Sequence, residues 1–267
     1  MLDVLVSSLG NTLVSLAISF VCIIIPLSVL HLLQKCFILL SIRKPNIFNR
    51  ITGIIAVPVH EFSHWFACRL FGHKVLRVSW YNPLANGTLG FVEHSYNPLN
   101  PRHVIGCFFI GISPIFGGVL MTGLLTVMLL PNCQEFVSAL LSIVSIAPPA
   151  ENIIPFYAEL NWNILTFTYA SLLQSTVAPF QFLVWATLVS AIGLYLTPSR
   201  ADMVGSAKGF VFIVAVLLLT DIFIRNDAFY SYLTVICMAW SALLVVCMCL
   251  SSISLGLLIV AQKIVKH

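Results

Sequence analysis

The sequence predicts an all-α polytopic membrane protein with about six transmembrane helices and a small β-hairpin-like insertion after the second helix. Three observations support this fold class. Of the 267 residues, 60% are hydrophobic. Only 8% are charged, whereas a soluble domain of this length has roughly a quarter of its residues charged. The apolar residues fall in runs of about 20, the length of helix that crosses a bilayer. We therefore expect one membrane-embedded domain over residues 1–267, with the lipid bilayer as its main solvent.

Six apolar segments are the expected spans, at 11–34, 51–72, 104–131, 177–197, 206–224 and 234–261. They divide the domain into a first helix and loop (1–50), a central part with the second helix, the insertion and the third span (51–131), and the remaining spans (132–267). The segment 136–175 is ambiguous, because it could contain a re-entrant or interfacial helix. The insertion has two stretches rich in β-branched and aromatic residues, 75–80 and 88–92, around a turn-rich link at 82–87.

The charge distribution bears on partners and on orientation. The net charge is only +4 and the basic residues are scattered, which excludes a nucleic-acid-binding stripe. With the N-terminus inside, eight Lys and Arg fall on the cytosolic side and five on the other, where 132–162 is wholly acidic. Because cytosolic loops carry the excess of basic residues, we expect both termini in the cytosol.

One motif in the second span carries chemistry. His60-Glu61-Phe62-Ser63-His64 has the form H-E-x-x-H. Residues four apart lie on one face of a helix, so two imidazoles can bind one Zn²⁺ at roughly 2.0–2.1 Å. Glu61 follows the first histidine and can act as general base towards a zinc-held water. Ionisable groups in the middle of a spanning helix are costly and normally mark a functional site.

The motif in this setting resembles the site-2 protease family of intramembrane zinc metalloproteases. The resemblance rests on His60, Glu61 and His64, on the strand-like insertion 73–103, and on the Gly- and Pro-containing segment 111–118. It covers about residues 51–125. The resemblance implies a cytosol-facing zinc site and hydrolysis of a peptide bond in or beside the transmembrane helix of a partner protein.

The resemblance also implies an Asp as third zinc ligand, supplied by a later span. The usual N-P-D-G and L-D-G motifs are absent from this sequence. Two aspartates are candidates, Asp202 at the start of the fifth span and Asp221 near its far end. We favour Asp202, with Gly205 three residues later, although Ser199 and Asp202 also form a capping-box pattern. Asp221 is more simply an interfacial anchor. His73, His94 and His103 could reach a metal, but loop histidines are more often solvated.

The expected function is therefore that of a zinc metalloprotease with metal ligands His60, His64 and Asp202, catalytic residue Glu61 and cofactor Zn²⁺. Its partner is the helix of a membrane-protein substrate, and the simplest location is a bacterial-type plasma membrane with the active site towards the cytosol. The alternative is a catalytically inactive protease-like membrane protein that binds partner helices. A transporter would show repeated, broken spans in matching halves, and a di-iron oxygenase would need His-His pairs; the sequence has neither. It does not indicate an oligomeric state.

Overall fold

The computed structural model describes residues 2–40, 45–84, 87–131, 179–224 and 227–264, together with short stretches between 133 and 170. These residues are mostly helical, with one small antiparallel sheet, as the fold class predicts. The long elements, in chain order, are α1 (Leu2–Leu40), α2 (Pro45–Phe71), β1 (Lys74–Ser79), β2 (Phe91–Ser95), α3 (Pro101–Leu129), α4 (Pro179–Tyr195), α5 (Arg200–Ile224) and α6 (Asp227–Ile264).

Four helices within the described residues are long and apolar enough to cross a membrane. Their apolar segments are Thr12–Phe37 in α1, Pro101–Leu129 in α3, Arg200–Leu219 in α5 and Tyr232–Gly256 in α6. The six predicted spans are therefore not all confirmed. The apolar helix α4 is only 17 residues long. The helix α2 mixes Asn, Arg, His and Glu into its apolar sequence. Most of the ambiguous segment 136–175 lies outside the described residues.

The predicted hairpin is present, with its second strand three residues later than expected. The strands β1 and β2 pair in antiparallel fashion, from Lys74 opposite Ser95 to Ser79 opposite Phe91. The register shifts between Val75 and Arg77, so Leu76 is an extra residue in β1. Residues 88–90, which were expected in the strand, belong instead to the link that returns from β1.

Local signals fix the ends of the elements around the hairpin. Gly72 has a φ of 80° and ends α2. The His73 amide donates to the Cys68 carbonyl and the Gly72 amide to the Arg69 carbonyl, which is the Schellman pattern. At the start of α3, the Asn100 side chain accepts from the Arg102 amide at 3.0 Å. Pro101, the first residue of the helix, needs no amide partner there.

The chain divides into two compact units. Unit 1 comprises Met1–Ser28, Gly123–Trp185 and Val214–Val246. Within it, buried polar side chains join distant elements: Ser19 Oγ lies 3.1 Å from Thr234 Oγ1, and Trp185 Nε1 donates to Thr126 Oγ1 at 3.1 Å. In a bilayer such hydrogen bonds hold helices together.

Unit 2 comprises Val29–Thr122, Ala186–Ile213 and Cys247–His267. It contains α2, the hairpin and the four favoured site residues His60, Glu61, His64 and Asp202, whereas Asp221 belongs to unit 1. A small core joins Ala67 and Cys68 of α2 to Ile110 of α3, and Val75 and Val92 of the two strands pack against it. The hairpin is thereby held against α2, the helix that carries the H-E-x-x-H motif.

Candidate metal centre

Two histidines on one face of α2 form the base of the site. Because His60 and His64 are four residues apart in a helix, their side chains lie one turn apart on the same side. Their Nε2 atoms are 3.2 Å apart, and the rings meet edge to face with centroids 4.9 Å apart. The His64 side chain is buried and that of His60 is half-buried. Both imidazoles therefore direct a nitrogen into the same small volume.

A backbone carbonyl orients each imidazole through its other nitrogen. His60 Nδ1 donates to the carbonyl of Tyr195, at the end of α4, at 2.7 Å. His64 Nδ1 donates to the carbonyl of Ile110, in α3, at 2.8 Å. A carbonyl only accepts, so each Nδ1 carries a proton and each neutral ring has its lone pair on Nε2. This is how ligating histidines are usually held. Two lone pairs 3.2 Å apart repel each other unless a cation or an additional proton lies between them.

Asp202 brings a carboxylate to the histidine pair. Its Oδ1 lies 3.5 Å from His64 Nε2, and its Oδ2 lies 4.0 Å from His60 Nε2. The same side chain caps α5: Oδ2 accepts from the Ser199 amide at 2.7 Å, while the Asp202 amide donates to Ser199 Oγ at 3.2 Å. This is the capping box that the sequence offered as the alternative role of Asp202. The cap uses Oδ2, so Oδ1 remains directed at His64.

Two of the three separations within this group fit a tetrahedral metal ion such as zinc, and the third, 4.0 Å between His60 Nε2 and Asp202 Oδ2, is longer. Two ligand atoms that each lie about 2.0–2.1 Å from a tetrahedral zinc are about 3.3 Å from each other. The Nε2–Nε2 distance of 3.2 Å and the Oδ1–Nε2 distance of 3.5 Å are close to this value. All three residues offer ligand atoms within 4.8 Å of one another. His60, His64 and Asp202 therefore could hold a metal ion.

Glu61 lies on α2 between the two histidines. It is buried, with 8% of its surface exposed. Its side chain lies against the backbone of Gly90, in the segment that returns to β2. A Cβ added at Gly90 would be 2.8 Å from Glu61 Cγ and 2.9 Å from the carbonyl oxygen of Ser79. The absence of a side chain at Gly90 therefore leaves the room that the Glu61 side chain occupies.

Helix α3 supports the site in ways that the sequence did not identify. Ser113 Oγ donates to the Ile110 carbonyl at 2.7 Å and lies 3.3 Å from His64 Nδ1. The carbonyls of Ile110 and Tyr195 are backbone groups, so no residue type in the sequence could have indicated them. Gly117 lets α3 approach α2 closely, because a Cβ there would be 1.9 Å from Ser63 Oγ.

The three loop histidines form a separate cluster at the base of the hairpin. His73 is buried, against the expectation of a solvated side chain. Its Nε2 donates to the His103 carbonyl at 2.9 Å, and its Nδ1 lies 3.1 Å from Nδ1 of His94. Burial lowers the pKa of His73, and burial followed by the proximity of His73 lowers the pKa of His94. Within the described residues, these histidines are not part of a group that could hold a metal.

Asp221, the other candidate for third ligand, also lies in α5. It is about five helical turns beyond Asp202 along the chain. Its side chain is outside the described part of the structure, so its surroundings remain undescribed. The carboxylate that does reach the histidine pair is that of Asp202.

Comparisons with known proteins identify no relative of this chain. No family model, no curated protein and no solved structure matches the chain. The functional assignment therefore rests on the motif and on the geometry of the site.

Proposed function

We propose that the protein is a zinc-dependent intramembrane endopeptidase, similar to site-2 proteases, that hydrolyses a peptide bond in or near a transmembrane segment of a membrane-protein substrate. The observation that carries the proposal is the convergence of two imidazole lone pairs and one carboxylate oxygen on a helix that also carries the buried Glu61, the residue after His60. Zinc held there supplies a Lewis acid and lowers the pKa of a coordinated water to about 7. The four long apolar helices support a bilayer as the setting.

In this mechanism the protein prepares the site before substrate arrives. The carbonyls of Tyr195 and Ile110 hold the protons of His60 and His64 on Nδ1, so that Nε2 is available for the metal. Asp202 contributes one negative charge, which offsets part of the charge of a divalent cation. Preorganised ligands and charges lower the cost of reaching a charged transition state.

Glu61 moves the proton during hydrolysis. Its carboxylate takes a proton from the attacking water as the water oxygen bonds to the scissile carbonyl carbon. The same carboxyl group then gives the proton to the amide nitrogen as the C–N bond breaks. The products are a carboxylate and an amine, and Glu61 returns to its starting state. Burial of Glu61 keeps bulk water away from this transfer.

We also propose that the site lies on the cytosolic side, since more of the Lys and Arg fall on that side of the six-span arrangement. A bacterial-type plasma membrane is the simplest setting for this arrangement, and the charge pattern does not distinguish it from other membranes.

The decisive experiment compares the wild-type chain with Glu61→Gln in vesicles that also contain a labelled single-span peptide with a Gly-Pro pair in its apolar segment. The wild type should bind one zinc per chain and cleave the peptide, and a chelator should stop cleavage until zinc is restored. Glu61→Gln should keep its zinc and lose at least about a hundredfold in rate, the scale of a positioned general base.

Other outcomes separate the alternatives. A wild-type chain that binds zinc and never cleaves the peptide, but retains it on purification, indicates the inactive helix-binding protein. Cleavage by Glu61→Gln at the wild-type rate rejects Glu61 as the base. If the wild-type chain binds no zinc, the proposal is rejected.

A further inference from the structure

We infer that Gly111 of α3 is a positioning residue: it sets the distance between Asp202 and the histidine pair by letting the first turn of α5 approach the backbone of α3. This inference deepens the proposed function and rests on it. The atoms nearest to a Cβ at Gly111 all belong to α5, so we expect its effect to be exerted through the position of α5.

The contact at Gly111 involves the backbone of the ligand residue itself. A Cβ added there would lie 1.8 Å from Ser206 Oγ and 2.5 Å from the carbonyl oxygen of Asp202. The Ser206 hydroxyl donates to that same carbonyl at 2.6 Å, which ties the two obstacles together. A side chain can rotate away from a methyl group, but the backbone carbonyl of a helix cannot. An alanine at position 111 therefore requires α5 to move.

The same turn of α3 holds the other half of the site. Ile110, the neighbour of Gly111, accepts the hydrogen bond that orients His64 at 2.8 Å. One turn of α3 thus fixes the His64 ring on α2 and limits the approach of Asp202 on α5. Because the Oδ1–Nε2 distance between Asp202 and His64 spans these two contacts, any separation of α5 from α3 changes it directly.

The movement that Gly111→Ala requires of Asp202 is large compared with the tolerance of a metal site. An ordinary carbon–oxygen contact is about 3.4 Å or longer, so the carbonyl of Asp202 must retreat by about 1 Å to accept a methyl group at position 111. Metal-ligand distances tolerate only about 0.2 Å. The retreat is therefore about five times what coordination can absorb without loss of a ligand.

A second glycine shows that the first turns of α5 approach the first turns of α3 at another point. A Cβ at Gly209 of α5 would be 2.7 Å from the backbone nitrogen of Phe108 and 2.7 Å from the carbonyl oxygen of Val104, both in α3. By contrast, a Cβ at Gly205, three residues after Asp202 on α5, or at Gly123 on α3 would meet nothing within 4 Å. The chain thus offers glycine controls on both helices.

The test measures metal binding by the full chain, with cleavage left aside. Zinc affinity is obtained by competition with a chromophoric chelator, and the ligand set is followed by the visible absorption of the cobalt(II)-loaded protein. Gly111→Ala should bind zinc about ten- to a hundredfold more weakly than wild type and change the cobalt spectrum. Gly205→Ala and Gly123→Ala should match the wild type in both measurements.

A double variant distinguishes positioning from general damage. In an Asp202→Ala background, Gly111→Ala should cause little further loss of cobalt affinity, because the ligand that it displaces is already gone. A further loss as large as in the wild-type background would overturn the inference, and so would wild-type affinity and spectrum in Gly111→Ala.

If Gly111→Ala does not fold, Ser206→Thr decides the question from the other helix. Threonine keeps the hydroxyl and adds a methyl group near the same contact, so it should weaken zinc binding in the same direction; wild-type affinity would then reject the inference. Failure of the proposed function looks different, because the wild-type chain itself then binds no zinc, and the inference falls with it.

Discussion

The hydrogen bonds of His73 leave its ring with a defined proton arrangement. Its Nε2 donates to a carbonyl, so the neutral ring accepts at Nδ1 from the Nδ1–H of His94. The Tyr96 ring stacks on His73 with centroids 5.2 Å apart, and the His103 ring centroid is also 5.2 Å from that of His73. A second proton on His73 would place two N–H donors opposite each other and would charge a buried ring.

The hairpin base should therefore weaken as the pH falls. The pKa of His73 is lowered from 6.5 in the folded chain, chiefly by burial. The unfolded segment then binds more protons than the folded one below about pH 6.5, so stability is complete above that pH and decreases as the pH falls towards the folded pKa. Amide exchange in β1 and β2, corrected for intrinsic rates, should show less protection near pH 5.5 than near pH 7.5, by at most about tenfold per pH unit for one proton.

The matched variant is His73→Gln, whose side-chain amide can still donate to the His103 carbonyl but does not titrate. Its hairpin protection should decrease less steeply at low pH than that of the wild type, and the remaining pH dependence is expected from His94, whose pKa burial also lowers. A variant that loses protection at low pH as steeply as the wild type would show that another group is responsible.

Residues differ in how far their roles could be predicted from sequence. His60, Glu61 and His64 were readable because a helix places residues four apart on one face, which is local geometry. Asp202 could be proposed but not separated from Asp221, because only the packing of α5 against α3 brings its carboxylate to the histidines. The sequence could not indicate that the carbonyls of Tyr195 and Ile110 orient the two histidines, since every residue has a backbone carbonyl.

The link between β1 and β2 lies along α2 from Arg50 to Glu61. A Cβ at Gly53 would be 3.3 Å from Tyr81 Cε2 and 3.2 Å from Leu89 Cδ1, and the Tyr81 hydroxyl donates to the Arg50 carbonyl at 2.5 Å. Gly90, at the end of the link, lies against the Glu61 side chain. The link is therefore one wall of the site beside the proposed general base.

Gly90→Ala should separate catalysis from metal binding. The added methyl group would press on Glu61 Cγ and on Val57 Cγ1, each 2.8 Å away, and so displace the Glu61 carboxylate. We expect peptide cleavage to fall by about a hundredfold, the scale of a misplaced catalytic group, while zinc affinity stays at the wild-type value. Cleavage rate and chelator competition are measured on the same preparation, with Gly205→Ala as control. Loss of zinc from Gly90→Ala, or full activity, would contradict this role of the link.

The elements themselves were predicted unevenly. The two strands were readable from composition, but β2 begins at Phe91 instead of 88. Thr88 and Leu89 accept backbone hydrogen bonds from Leu84 and Asn82, but these bonds lie outside the strand register. The ends of α2 and α3 follow from Gly72 and Asn100, whose local hydrogen bonds terminate or start a helix wherever they occur. Hydropathy placed helices at all six expected positions, but it could not show that α4 would be only 17 residues long.

For the whole molecule, the number of crossings before the hairpin determines the side of the membrane on which the hairpin lies. If α1 and α2 both cross the bilayer, the hairpin shares the side of the N-terminus; if α2 does not cross, the hairpin lies on the opposite side. The described residues contain four helices with the length and apolar character of a span, and α2 is not one of them. The basic residues favour two crossings before the hairpin.

Reporter fusions decide between these arrangements. We expect a reporter inserted in the link after Leu84, a reporter following His267, and the N-terminus all to lie in the cytosol, with a reporter between 132 and 162 on the other side. The measurement is enzymatic activity of reporters that work on one side only. A hairpin reporter active outside the cytosol would mean that α2 does not span, and would move the proposed site to the other face of the membrane.

The double use of Asp202 has a thermodynamic consequence. The carboxylate that closes the first turn of α5 also faces the histidines, so occupancy of the centre and order at that helix start are linked equilibria. Loss of the Ser199 hydroxyl would remove of order 1 kcal/mol of N-cap free energy from this turn. If that loss is fully coupled to binding at the centre, the dissociation constant of the cation rises roughly fivefold. Cation retention could thus be tuned by a residue that never touches the ion.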